Sequence, residues 1–166
     1  MKPSVAKIGD ECWRIVLALN PVPAARPRVG KFGTYYPKTY SRFKIQADEQ
    51  LVPFSDGVTP TTELLYVHCL FVSEKPRTSK LPAPNGDIDN FVKAALDAVT
   101  KAQVMWSDDR QIVGLHAQKR WAWTDEEPCI ILTVGLTAGA VWEDVNGFAP
   151  NWPMDLMDIY ERVELK

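Results

Sequence analysis

Long apolar runs are missing from this chain of 166 residues: stretches such as Ile130 to Leu136 fall far short of the roughly 18 to 20 residues that span a bilayer. The N-terminus also lacks the apolar run of a secretory leader, so the expectation is a cytoplasmic protein with no membrane partner. Cysteine is scarce. Cys12, Cys69 and Cys129 lie far apart in apolar segments with no second Cys or His at metal-ligand spacing, which argues against zinc and disulfides and reads as reduced core residues. His68 and His116 fall inside strand-like runs with no nucleophile motif beside them. What the chain does have is 46% hydrophobic and 24% charged residues, the balance of an ordinary globular domain able to fold on its own core.

Strong net charge is absent too, since 19 basic residues against 21 acidic ones leave −2. The average conceals a split. Between Pro21 and Ala47 stand Arg26, Arg28, Lys31, Lys38, Arg42 and Lys44 with no acidic residue, whereas positions 137 to 166 carry six acidic residues against Arg162 and Lys166. The first segment suits a phosphate-rich partner, the second does not. A second loop, Ser73 to Gly86, adds Lys75, Arg77 and Lys80 against Glu74 alone.

The patterning predicts a strand over Cys12 to Leu19, stopped by Asn20-Pro21-Val22-Pro23. Proline and glycine keep the following basic loop from helix, and its Arg and Lys side chains are expected on irregular backbone. A polar helix fits Thr39 to Leu51, with Phe43, Ala47 and Leu51 at four-residue steps, and an apolar strand fits Leu64 to Val72. The clearest helix is Asp87 to Lys101, with Asp89 or Asn90 as N-cap and Phe91, Ala94, Ala95 and Ala98 on its inner stripe. Gln111 to Trp121 and Pro128 to Leu136 then read as two strands of a hairpin. The order implies one α/β domain over 1–136: a mixed sheet of four or more strands carrying two main helices, with 137–166 as an acidic extension.

One constellation carries chemistry. Asp87 and Asp89 share a side only on extended backbone, because i and i+2 diverge on a helix, so the pair belongs at the junction of loop and helix. Lys93 follows one turn after Asp89, with Asp97 as its ion-pair partner, and Asp108-Asp109 comes after the helix. If these carboxylates converge, their repulsion calls for a hard cation such as Mg²⁺ or Mn²⁺. A capped helix followed by an ordinary turn accounts for the same spacing. Similarly, Tyr35, Tyr36 and Tyr40 can stack on bases or pack beneath the basic loop.

The run D-I-D-N-F-V-K-A-A-L-D-A-V (Asp87 to Val99), followed by W-S-D-D-R-Q-I-V (Trp106 to Val113), resembles the RusA family of Holliday-junction resolvases, as does the upstream R-P-R-x-G-K-F-G-T-Y-Y-P segment of phage-type members. The resemblance spans about Cys12 to Leu136. It implies a homodimeric, Mg²⁺-dependent endonuclease, in which Mn²⁺ can substitute, making paired nicks in four-way DNA during recombination, repair or phage DNA processing. Matched by position, Asp87, Asp89 and Asp109 correspond to catalytic and metal-binding aspartates, with Asp108 as a further ligand candidate, and Lys93 to the catalytic lysine. Arg26, Arg28, Lys31, Lys38, Lys75, Arg77 and Lys80 are then the DNA-binding candidates. A competing expectation is an inactive branched-DNA-binding or phage interaction protein of the same fold, working through the extension. Phosphate contacts have a direct readout: replacing Arg26, Arg28 and Lys31 by Ala is expected to flatten the slope of log affinity against log salt by up to about 0.9 per lost contact. An unchanged slope removes the loop from the interface.

Overall fold

In the computed structural model, residues 1–31 and 33–136 are described; the acidic extension lies outside them. Their elements run β1 (Ser4–Gly9), β2 (Cys12–Leu17), β3 (Arg28–Gly30), β4 (Gly33–Tyr35), α1 (Lys38–Leu51), β5 (Leu65–Ser73), α2 (Ile88–Ala102), β6 (Ile112–Trp121) and β7 (Cys129–Leu136). Every residue of β5 except Tyr66 is buried. A strand with no solvent-facing side needs neighbours on both edges and cover on both faces. It accordingly pairs with β6 in parallel and β7 antiparallel, and the sheet order is β1-β2-β7-β5-β6.

The two helices pack on one face. There Leu65, Val67, Cys69 and Phe71 of β5 join Ile130, Leu132 and Val134 of β7 and the buried residues of α1 and α2 in a single cluster. Phe43, Ala47 and Leu51 all point inward, as their four-residue spacing requires. The largest fully buried side chain among the described residues, Trp106, follows the end of α2, its indole N–H donating to Thr100 Oγ1 at 2.7 Å. On the opposite face His68 and His116 stack with ring centroids 5.0 Å apart. Burial, seconded by the neighbouring imidazole, pushes His68 down to about 4, so it is neutral at physiological pH. All three cysteines are free, with Cys69 and Cys129 buried.

Two expectations about the strands are corrected. β6 and β7 do not form a hairpin, because β5 lies between them. Their connection must cross two strand spacings, about 10 Å, past the end of β5. Arg120 braces that crossing, donating from Nη1 and Nη2 to Glu126 Oε2 and Oε1 at 2.5 and 2.6 Å and lying 3.9 Å from the Trp123 ring. Ala122 N–H also donates to Ser73 O at 2.8 Å. The basic loop is not wholly irregular either: β3 and β4 form a three-residue ribbon turned at Gly33, whose φ of +119° favours glycine. β1 was not anticipated. It is a half-exposed edge strand whose Lys7 and Gly9 interrupt any long apolar run.

The Arg120 fork and the Trp123 N–H hold Glu126 below its ordinary value. A carboxyl depressed in the folded state adds stability above its unfolded pKa and loses it as pH falls through the folded one. Urea unfolding from pH 7 to pH 3 should therefore show a smaller acid loss for Glu126→Gln than for the wild type, and equal losses would contradict this.

Candidate nucleic-acid interface and carboxylate pair

Gly86 turns the chain into α2. Its φ is +106°, and an added Cβ would lie 3.0 Å from Pro23 Cγ and 3.3 Å from the Phe91 ring. Asp87 follows in extended conformation (φ −74°, ψ 143°) as the N-cap residue, in place of Asp89 or Asn90, and its side chain makes no capping hydrogen bond. Its carbonyl instead accepts from the N–H groups of Asn90 and Phe91 at 3.2 and 3.4 Å. Asp89 sits in the first turn, its Oδ1 accepting from Asn90 N–H at 2.9 Å. Both carboxylates are exposed, on the loop-to-helix junction that their spacing demanded. Lys93 is exposed one turn on and pairs with Asp97 at 3.3 Å.

The two basic loops leave the sheet together beside this pair. Glu74 N–H donates to Asn20 Oδ1 at 3.0 Å, joining the starts of the loops, and Ala24 N–H donates to Asn90 O at 2.8 Å, fastening the first loop to α2. Trp121 Nε1 donates to Leu81 O at 2.9 Å and the Lys119 ammonium to Gly86 O, fixing the second loop. Arg26, Arg28, Lys31, Lys38, Lys75, Arg77 and Lys80 are all exposed on these segments. Asn20, Lys119 and Trp121 position the site and were missed, Asn20 because it read only as a strand stop. Of the three tyrosines, Tyr40 is buried, with Tyr36 edge-on to it at 5.4 Å and Lys44 4.0 Å over the Tyr36 ring, whereas Tyr35 is exposed.

Asp108 and Asp109 lie elsewhere. Asp108 caps the 3₁₀ turn Asp109–Gln111, accepting from Arg110 N, Nε and Nη2 at 2.9, 2.9 and 2.7 Å. That guanidinium holds the Asp108 carboxyl at about 2. Gln111 locks the turn to the start of β5, donating to Thr61 O and Glu63 O at 2.7 and 3.0 Å while accepting from Asp108 N–H at 3.1 Å. Asp109 is exposed beside it. This turn contacts α2 and precedes β6, whereas Asp87 and Asp89 stand at the N-terminal end of α2, the end marked by Phe71 and Lys119. The 15 residues of α2, a helix about 22 Å long, run between the two groups.

The carboxylates therefore do not converge within one chain, and among the described residues no group of three or more His, Cys, Asp or Glu side chains is placed to hold a metal ion. The Asp87–Asp89 pair by itself fits a hard divalent cation of the kind that takes one or two carboxylates and fills its remaining positions with water and substrate phosphate. It does not fit a closed structural cage.

A family model described as Endodeoxyribonuclease RusA matches residues 18–134. The chain belongs to the RusA endodeoxyribonuclease family. No individually curated protein matches it. The matched RusA region runs from just after β2 into β7, so it contains both basic loops, the Asp87–Asp89 pair, Lys93 and the Asp108–Asp109 turn, and leaves β1 outside. The RusA fold here is the mixed sheet with two helices on one face, and no helix of the described residues is long and apolar enough to cross a membrane.

Proposed function

We propose that this RusA-family protein is a Mg²⁺-dependent endonuclease that resolves four-way DNA junctions by paired nicking, acting as a homodimer in the cytoplasm during recombination, repair or phage DNA processing. The observation that carries the reading is an exposed carboxylate pair at the start of α2, flanked by two basic loops that hydrogen bonds tie to that same helix end. DNA backbone is the polymer that matches this layout, since basic side chains on loops track phosphates and supply most of the affinity.

Asp87 and Asp89 would hold the divalent ion, with Mn²⁺ able to replace Mg²⁺. When bound, such an ion neutralises charge at the scissile phosphate and lowers the pKa of water. Lys93 stands one turn from Asp89 and adds positive charge where the leaving oxygen develops negative charge. Arg26, Arg28, Lys31, Lys38, Lys75, Arg77 and Lys80 hold the backbone. Asp109, with Asp108 already engaged by Arg110, joins the pair only from a second copy, because α2 separates the two groups within a chain. A twofold dimer that sets the start of α2 in one protomer against the Asp109 turn of its partner completes two equivalent sites, one for each nick.

Single-turnover cleavage of a synthetic four-way junction and a matched linear duplex, with and without Mg²⁺, tests this. The wild type should nick the junction symmetrically and only with metal, and Asp89→Asn, which removes one of the two carboxylates that would hold the ion, should abolish the nicking. Tight junction binding with no cleavage in Mg²⁺ or Mn²⁺ would replace the enzyme by a binding module of the same fold.

A further inference from the structure

The β3–β4 ribbon takes no part in the core. It forms a two-stranded sheet of its own, and both strands are largely exposed. Paired strands this short are marginal in water, so an exposed ribbon with large side chains on it calls for a partner. In its register Arg28 faces Tyr35 and Gly30 faces Gly33, which puts Arg28, Tyr35 and Gly30 on one face. The Tyr35 ring lies across Gly30: a Cβ at that position would stand 3.0 Å from Tyr35 Cε1. Glycine thus makes a bed for the ring, which stays 53% exposed. Tyr40, five residues on, is buried, and Tyr36, though partly exposed, has its ring engaged by Tyr40 and Lys44, so Tyr35 is the most exposed of the three.

Beside the ring is an open cleft of about 260 Å³ lined by Gly30, Lys31, Gly33, Thr34 and Tyr35, room for a nucleobase. The ribbon is also tethered to the carboxylate pair. Arg28 follows four residues after Ala24, whose N–H is bonded to Asn90 O, so chain reach keeps Arg28 within about 14 Å of Ala24 and on the same side as the start of α2. An aromatic ring offered between cations meets a base face and its flanking phosphates. In linear duplex the base faces are covered by stacking. At the branch point of a four-way junction the stack is interrupted and base faces become available.

Resting on the function proposed above, we infer that Tyr35 is a specificity-determining residue that stacks on a base at the branch point, with Arg28 and Lys31 on the adjoining phosphates. The ribbon thereby selects branched over linear DNA and sets the branch point beside Asp87 and Asp89.

The test is metal-free binding of the full chain to a four-way junction carrying 2-aminopurine at the branch point, and to a matched duplex. Wild type should bind the junction more tightly and change the probe's fluorescence. Tyr35→Ala should weaken junction binding about tenfold, the scale of one lost base stack, leave duplex affinity unchanged and abolish the fluorescence change. Tyr35→Phe should keep all three properties. Unaltered thermal unfolding would exclude misfolding as the cause. Equal losses on junction and duplex, or none on either, would overturn the inference. A wild-type chain that binds both DNAs alike would overturn the substrate reading itself, and this inference with it.

Discussion

The packing of α2 against β5 fixes everything this molecule presents to a partner. Phe91 meets Phe71 with centroids 5.6 Å apart, and Ala94, Ala95 and Ala98 of the same helix are buried in the core. At one end of the helix this contact sets Gly86, Asp87 and Asp89 over the strand ends near Lys119. At the other it seats Trp106 and the Asp108–Gln111 turn. The helix is rigid and about 22 Å long, so the same contact that builds the carboxylate pair also keeps Asp109 away from it. A dimer is therefore part of the chemistry proposed for this chain as well as of its substrate geometry.

Electrostatics follows the same geometry. The net charge of −2 describes no surface of this protein. What a DNA backbone would meet is two loops rich in Arg and Lys, joined at Asn20 and Glu74 and tied down at Asn90 and Gly86, around the two acidic groups suited to a cation. An ordered arrangement of this kind limits the entropy lost when such loops close on DNA.

Much of the fold was legible from local pattern. The stripe of Phe91, Ala94, Ala95 and Ala98 marks α2, and the doubly apolar run of β5 marks a central strand, because each reflects burial that local periodicity records. The same run marks a strand that takes neighbours on both edges, and in the sheet those neighbours are β6 and β7. Reading the two later strands as a hairpin gave adjacency in sequence too much weight. At the site, the spacing of Asp87 and Asp89 located the loop-to-helix junction and the Lys93–Asp97 pair correctly. It said nothing about Asp108 and Asp109, whose distance from that junction depends on α2 running antiparallel to its flanking parallel strands. Asn20, Lys119 and Trp121 were illegible for a related reason: their partners lie 33 to 54 residues away and involve backbone groups that carry no residue-type signal.

The most direct test of the account mixes two inactive chains. Asp89→Asn and Asp109→Asn are each prepared alone and also co-expressed, and nicking of a four-way junction in Mg²⁺ is followed for all three preparations. Sites shared between protomers predict that each variant alone is inactive while the mixture recovers single-strand nicks, because in a mixed dimer both substitutions fall in one site and leave the other intact. A mixture as inactive as its components, with mixed dimers shown to be present, would contradict the shared site and return all the carboxylates to a single chain.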